Sequence, residues 1–237
     1  MQFSLKRGKK KVQTQEPVSR KRQIWLNFRG LASTLVFVWL FTNHIAQAMI
    51  VPTESMLPTI LVGDHFFLDK VAFPANTPEA LRKILPARTV RRGDLLVFWS
   101  PEQPDLRLVK RVIALPGEKY EIRAGDVYIN DEKLTEPYAA HSVPGVNWRS
   151  ENFGPVTLPV DGFFMMGDNR DNSRDSRYFG VVHRNALIGK PMFIYWSYES
   201  EPYRGERTLG QWAEYYASIA THFVTRTRWD RTGTVLR

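Results

Sequence analysis

The chain has 237 residues and no cysteine, which excludes disulfides, thiolate catalysis and cysteine-ligated zinc. A composition that is 43% hydrophobic and 13% aromatic supports a packed core rather than a disordered chain. The net charge of +9 is local: residues 1–30 hold nine basic side chains and one acid, Glu16, leaving +1 for the rest, which argues against a basic face for nucleic acid.

In chain order, residues 1–30 form a basic tail, and no Asp, Glu, Lys or Arg occurs between Arg29 and Glu54. The stretch 31–51 is predicted to be a transmembrane anchor, since about 20 apolar residues cross a hydrocarbon core. The basic flank before it predicts a cytoplasmic N-terminus and places residues 52–237 outside. Ala46-Gln47-Ala48, following an eleven-residue apolar run, permits a second reading as a cleavable signal peptide.

Beyond residue 52 the periodicity is that of short strands separated by Gly, Pro, Asn and Asp. They are expected at His65–Leu68, Leu95–Trp99, Leu106–Ala114, Tyr120–Ile122, Asp126–Ile129, Gly162–Met166 and Leu187–Trp196. Asn130-Asp131 predicts a turn, with an edge strand resuming at Lys133-Leu134. Pro78–Leu85 suits a short helix or a hairpin tip. The pattern indicates a mainly antiparallel β protein. Leu209–Arg228 differs, with Trp212, Tyr215, Tyr216, Ile219 and Phe223 at helical spacing. Such a helix either packs on the domain or lies on a bilayer surface.

The five histidines are scattered, with no HExxH motif, so no metal site is expected. There is no G-x-S-x-G elbow or glycine-rich phosphate loop. Arg92-Gly93-Asp94 reads as the turn that opens the strand Leu95–Trp99. Two features carry possible chemistry. In Pro52-Thr53-Glu54-Ser55-Met56-Leu57-Pro58 the prolines predict extended backbone on either side of Ser55. Thr53 and Ser55 would then share a side, with Glu54 pointing away. A serine between prolines is, by itself, usually a loop serine. The second feature is Lys110. On the strand Leu106–Ala114 one face carries Leu106, Leu108, Lys110, Val112 and Ala114, so Lys110 is a charge on an apolar face. Either its ammonium reaches water at the edge, or burial lowers its pKa. At an ordinary value of about 10.4, only roughly one lysine in 2,500 is neutral at pH 7, and bringing it near neutrality costs roughly 4 kcal/mol. With no suitable histidine, a Ser–Lys dyad is the evident way to activate Ser55.

These residues resemble the blocks of bacterial signal peptidase I, or leader peptidase. Pro52–Thr59 is similar to its nucleophile segment, Arg92-Gly93-Asp94-Leu-Leu-Val-Phe to its next block, and Lys110-Arg111-Val112-Ile113-Ala114-Leu115-Pro116-Gly117 to the block with its lysine. Gly167-Asp168-Asn169-Arg170-Asp171-Asn172-Ser173-Arg174-Asp175-Ser176-Arg177 resembles its late signature; read without the family, this would be a polar loop open to a calcium reading.

The resemblance implies Ser55 as nucleophile and Lys110 as general base. It implies that Ser173 hydrogen-bonds and orients the Lys110 amine, and that the Thr53 hydroxyl and the Ser55 N–H form an oxyanion hole. Arg111, Asp175 and Arg177 would make structural ion pairs. Thr53 stands where some relatives have Ser, and Glu54 where some have a small residue.

The implied fold is two antiparallel β-sheet domains behind one N-terminal transmembrane helix: a catalytic β domain from 52–117 and 162–202, a smaller inserted one at 118–161, and a C-terminal extension at 203–237. The implied activity is cleavage of exported preproteins after small residues at the bacterial cytoplasmic membrane, with no cofactor and no metal. The expected partners are signal-peptide-bearing preproteins and the lipid bilayer, not nucleic acid. A specialised peptidase with one substrate and an inactive tethered module are the rival readings.

Overall fold

The computed structural model describes residues 19–71, 89–141, 152–203 and 207–237. The expected helix or hairpin tip at Pro78–Leu85 lies outside the described residues. Internal packing divides the chain into two units, 1–40 and 41–237.

Helix α1, Arg20–His44, has 25 residues. Its segment Arg20–Thr42 is long and apolar enough to cross a membrane. Apolar side chains such as Phe37 and Trp39 are exposed along it, as suits a helix whose solvent is lipid. The apolar run expected to span 31–51 is therefore divided. The helix starts earlier, taking in Arg20, Lys21 and Arg22, and the last residues of the run form strand β1, Ala46–Ile50. This stretch is a strand because its backbone is paired: β1 runs antiparallel to β2, Asp64–Asp69, from Ala46 opposite Asp69 to Ile50 opposite His65.

The remaining strands are β3 (Leu95–Trp99), β4 (Arg107–Ala114), β5 (Lys119–Arg123), β6 (Asp126–Ile129), β7 (Glu132–Lys133), β8 (Phe153–Thr157), β9 (Gly162–Met166), β10 (Val182–His183) and β11 (Leu187–Ser197). They form two sheets, a seven-stranded one in the order β1-β2-β11-β3-β4-β9-β10 and a four-stranded one in the order β7-β6-β5-β8. Each pairing between these strands is antiparallel. The architecture is thus mainly β with two antiparallel sheets and one N-terminal apolar helix. Strands β1, β8 and β10 escaped the sequence reading: β1 lay inside an apolar run, and β8 contains Gly154 and Pro155, residues depleted in strands. The Asn130-Asp131 turn is present, both residues having positive φ (51° and 70°), as the tight link between β6 and β7 requires.

Among the described residues, three apolar clusters make up the core. One packs Met56 and Ile60, just after Ser55, against Phe66, Leu68, Leu95 and Leu236. The third joins the sheets, placing Ile113, Phe164 and Met166 against Tyr120, Ile122 and Val127. Short helix α2 is Ser176–Phe179, and helix α3 is Leu209–Arg226, opened by a capping box of Thr208 and Gln211. Helix α3 packs on the β2–β11 region: Tyr215 Oη lies 3.2 Å from His65 Nε2, and Tyr198 Oη lies 2.7 Å from Ser218 Oγ.

Candidate active site

Ser55 stands in the segment that follows edge strand β1. The extended backbone expected around it is not what forms. Leu57 N–H donates to Glu54 O at 3.1 Å and Ile60 N–H to Met56 O at 2.9 Å, so residues 54–60 are wound into turns. The cause lies in packing: Met56 and Ile60 are both fully buried, and drawing both into one core bends the chain between them.

Glu54 does not point away either. Its carboxylate Oε2 accepts from Asn172 Nδ2 at 2.9 Å and its carbonyl from Asn169 Nδ2 at 3.1 Å. Asn169 N–H also donates to Ser55 O at 3.1 Å. The late block therefore holds the backbone on both sides of the serine Cα. Thr53 is half-buried at the bend before them.

Lys110 sits on β4, opposite Leu96 on β3, and is 2% exposed. Its Nζ donates to Ser55 Oγ at 2.5 Å, with Ser55 itself 8% exposed. Burial pushes the Lys110 ammonium down to about 8, against the opposing pull of Asp175 and Asp168 and with a smaller push from Arg177. Desolvation disfavours the charged form of an amine, and here it outweighs two nearby carboxylates. A lysine with this value is about one-tenth neutral at pH 7, roughly 200 times more than an ordinary one.

The other expected residues are close by, and the arginines differ in their partners. Arg177 pairs with Asp175 (Nε to Oδ1, 2.8 Å), and Asp175 Oδ2 also accepts from Gly167 N–H at 3.0 Å. Arg111 does not join that pair. It grips Asp168, a residue the sequence reading left out, through Nε to Oδ1 and Nη2 to Oδ2. Asp168 also accepts from Thr59 Oγ1 at 2.6 Å. The sequence did carry a signal for this: an acid bound for full burial needs a cation, and Arg111 on β4 faces strand β9, which ends two residues before Asp168.

Ser173 differs from expectation too. Its Oγ is buried and, among the described residues, has no hydrogen-bond partner, so the bond to the Lys110 amine is not formed in this geometry. Instead it lies against Gly167, where an added Cβ would come within 2.2 Å of Ser173 Oγ and 2.4 Å of Ser55 O. Gly167 is thus a further point at which the late block touches the nucleophile segment, here by close approach to the Ser55 carbonyl. Among the described residues, no group of three His, Cys, Asp or Glu side chains is placed to hold a metal.

A buried amine bonded to a buried serine hydroxyl can act as a base without histidine. Comparison with known proteins identifies the family. The family model for signal peptidase, peptidase S26, matches residues 24–196. Signal peptidase I of Leptolyngbya laminosa is 38% identical over 161 residues, covering 65% of this chain and 70% of the relative. Signal peptidase I of Pseudomonas aeruginosa is 29% identical over 198 residues, 69% of each chain. Signal peptidase I S of Bacillus subtilis is 30% identical over 189 residues, covering 77% of this chain and 95% of the relative. The chain therefore belongs to the signal peptidase I family, peptidase S26, the membrane-anchored serine peptidases that remove signal peptides.

Proposed function

We propose that this chain removes N-terminal signal peptides from exported preproteins with Ser55 as nucleophile and Lys110 as general base, cutting after small residues. The observation that carries this reading is the 2.5 Å contact between the buried Lys110 Nζ and the Ser55 hydroxyl.

In the ammonium form Nζ donates to Oγ. Once Nζ has lost a proton, the same contact lets the Ser55 hydroxyl donate to its lone pair. Oγ then attacks the scissile carbonyl while Nζ takes the proton. Nζ returns that proton to the leaving amine, leaving an acyl-enzyme on Ser55. A water that gives its proton to Nζ then attacks the ester and frees Ser55. The Ser55 N–H and the Thr53 hydroxyl are assigned to the developing oxyanion, where one such donor is typically worth about 3–4 kcal/mol. Ser173, buried in the late block against Gly167, is assigned to orient the amine during these transfers. Arg111, Asp175 and Arg177 are assigned to hold β4 and the late block in register.

Among the described residues β1 is an edge strand of the larger sheet and the chain runs from it toward Ser55, which supports entry of an extended substrate by strand addition. The basic residues before and within α1 support a cytoplasmic N-terminus, with the site on the outer side of the bacterial cytoplasmic membrane.

The test is cleavage of a preprotein bearing an Ala-x-Ala site, in detergent, by wild type, Ser55→Ala and Lys110→Met. Cutting after that site by wild type and by neither variant is expected. Equal cutting by all three would sink the dyad, and cutting of a single pilin-like substrate in place of general preproteins would favour a specialised peptidase.

A further inference from the structure

The two sheets are joined by more than their shared apolar cluster. Beyond β7 the chain leaves the four-stranded sheet and runs, as segment 134–141, onto the late block. Ala140 and Asn169 form a parallel bridge: Ala140 N–H donates to Asp168 O at 2.7 Å, and Arg170 N–H to Ala140 O at 2.9 Å. His141 Nδ1 lies 2.9 Å from Asp171 Oδ1. Two side chains of this segment, Glu136 and Tyr138, reach further in, and no step of the chemistry above uses them.

Glu136 accepts from both arms of the Arg170 guanidinium, Nη2 to Oε1 at 2.6 Å and Nη1 to Oε2 at 2.8 Å, and both side chains are buried. Held this way, Arg170 donates from Nε to Gly167 O at 3.2 Å, while its own carbonyl accepts from Arg177 Nη2 at 2.8 Å. Gly167 lies against the Ser55 carbonyl. Glu136 is thus linked to the nucleophile through Arg170 and Gly167. Tyr138 serves the other half of the dyad. Its half-buried ring covers the Arg111 guanidinium, with Cζ 4.1 Å from the ring centroid. Asp168 and the Gly93 carbonyl take the edge of the same guanidinium. Arg111 follows Lys110 on β4. The Tyr138 hydroxyl donates to Glu136 Oε1 at 3.2 Å, so both arms meet at one carboxylate.

We propose that Glu136 and Tyr138 are positioning residues for the Ser55–Lys110 dyad, through which the smaller sheet fixes both the late block behind the nucleophile and the strand that carries the base; this rests on the dyad reading above. A buried ion pair is weak evidence for stability, because desolvation of both ions offsets their attraction. A bidentate pair does fix direction, and the direction fixed here is that of Arg170 toward Gly167. A ring stacked on a guanidinium holds its plane while a carboxylate grips its edge. Neither residue touches the reacting atoms; they act through Arg170 and Arg111.

A displaced dyad and a smaller folded fraction both lower kcat, but the pH midpoint of kcat/KM depends on the active molecules alone. Among the described residues, Asp168, Asp175 and Arg177 are the charged groups that act on Lys110, with Arg111 beside it on β4, and burial is the largest influence. Loosening either arm admits water to the amine and moves its pKa up toward the ordinary lysine value. Glu136→Gln and Tyr138→Leu are compared with wild type in the full chain, in detergent, on a preprotein bearing an Ala-x-Ala site. Tyr138→Phe keeps the ring, and Ser55→Ala and Lys110→Met serve as dead enzymes. Glu136→Gln and Tyr138→Leu are each expected to lower kcat at pH 7 about 10-fold. Their midpoint is expected to move up from about 8 by roughly half a unit or more. Tyr138→Phe is expected to stay within about twofold of wild type in kcat, at an unmoved midpoint. A wild-type midpoint in Glu136→Gln, or in folded Tyr138→Leu, overturns the proposal whatever the kcat. So does a Tyr138→Phe as impaired as Tyr138→Leu. Glu136→Gln keeps the shape of the side chain and carries the test alone if Tyr138→Leu does not fold. Cutting by Ser55→Ala or Lys110→Met at the wild-type rate overturns the dyad and this proposal together; an unmoved midpoint beside two dead enzymes overturns this proposal alone.

Discussion

Arg111 holds Asp168 by two parallel hydrogen bonds of 2.8 and 2.7 Å, with both side chains buried and the arginine one residue beyond Lys110. Because Asp168 also accepts from Thr59, the pair ties β4, the late block and the nucleophile segment together. Removing one partner of a buried pair leaves a charge without its counterion, at a cost of about 3–5 kcal/mol. Asp168→Ala is expected to lose that much stability in denaturant unfolding in detergent. In an Arg111→Met background the same change is expected to cost far less. Equal losses in the two backgrounds would show that the pair is not the source. Arg111→Lys is expected to restore little, since an ammonium cannot reproduce the fork.

Lys110 opposes the stability of its own fold. Its folded value, about 8, lies below the unfolded value of about 10.4. The proton is therefore bound more weakly in the folded chain at every pH below about 8, and burial of the ammonium costs about 3 kcal/mol there. That cost fades as pH rises from about 8 to about 10.4. Lys110→Met is expected to be inactive yet to melt higher than wild type at pH 7, with the difference shrinking toward pH 10. A lower melting temperature for the variant at pH 7 would contradict this. For the active enzyme, kcat/KM is expected to rise with pH and level off near pH 8; a flat profile from pH 6 to 9, with chemistry limiting, would remove Lys110 from the role of base.

Gly167 is required by close approach rather than by its own backbone angle. A methyl group there meets Ser173 Oγ at 2.2 Å and the Ser55 carbonyl at 2.4 Å. The Ser55 carbonyl belongs to the nucleophile itself, so relief of the clash moves the reacting group. Gly167→Ala is expected to lower kcat by at least about 100-fold, as a displacement of about 1 Å can do. KM is expected to change little. Preserved circular dichroism together with wild-type kcat would show that the contact gives way harmlessly.

The segment after α3 is part of the same core. Arg231 Nη2 donates to Asp64 Oδ2 at 2.5 Å and to Thr59 O at 3.1 Å, and Leu236 is buried in the cluster that holds Met56 and Ile60. Leu236→Ala is expected to cost about 2–5 kcal/mol in unfolding experiments. Val235→Ala, at an exposed neighbour, is expected to stay within about 0.5 kcal/mol of wild type. A neutral Leu236→Ala would mean that this segment is not integral to the core.

Much of this was legible beforehand, where the signal is local. Short runs rich in apolar, aromatic and β-branched residues at 95–99, 107–114 and 162–166 mark strands, and Asn130-Asp131 marks a hairpin because both positions need positive φ. Lys110 stood out as a cation on an apolar face, and it is buried. What local pattern does not hold is where a chain bends to serve a distant core. The wound segment at Ser55, the strand formed by Ala46–Ile50 and the turning-in of Glu54 each depend on residues far along the sequence.

The sequence by itself determined the residue types, the β architecture, the apolar span and the nucleophile and base candidates, because periodicity, charge and short-range sterics act within a few residues. Only the tertiary structure decided that Arg111 pairs with Asp168, that Ser173 rests against Gly167, and that Leu236 completes the core beneath Ser55. Burial makes those choices: a charge or an apolar side chain taken out of water must be matched by whatever the fold brings beside it, and that neighbour is set by the packing of the whole chain.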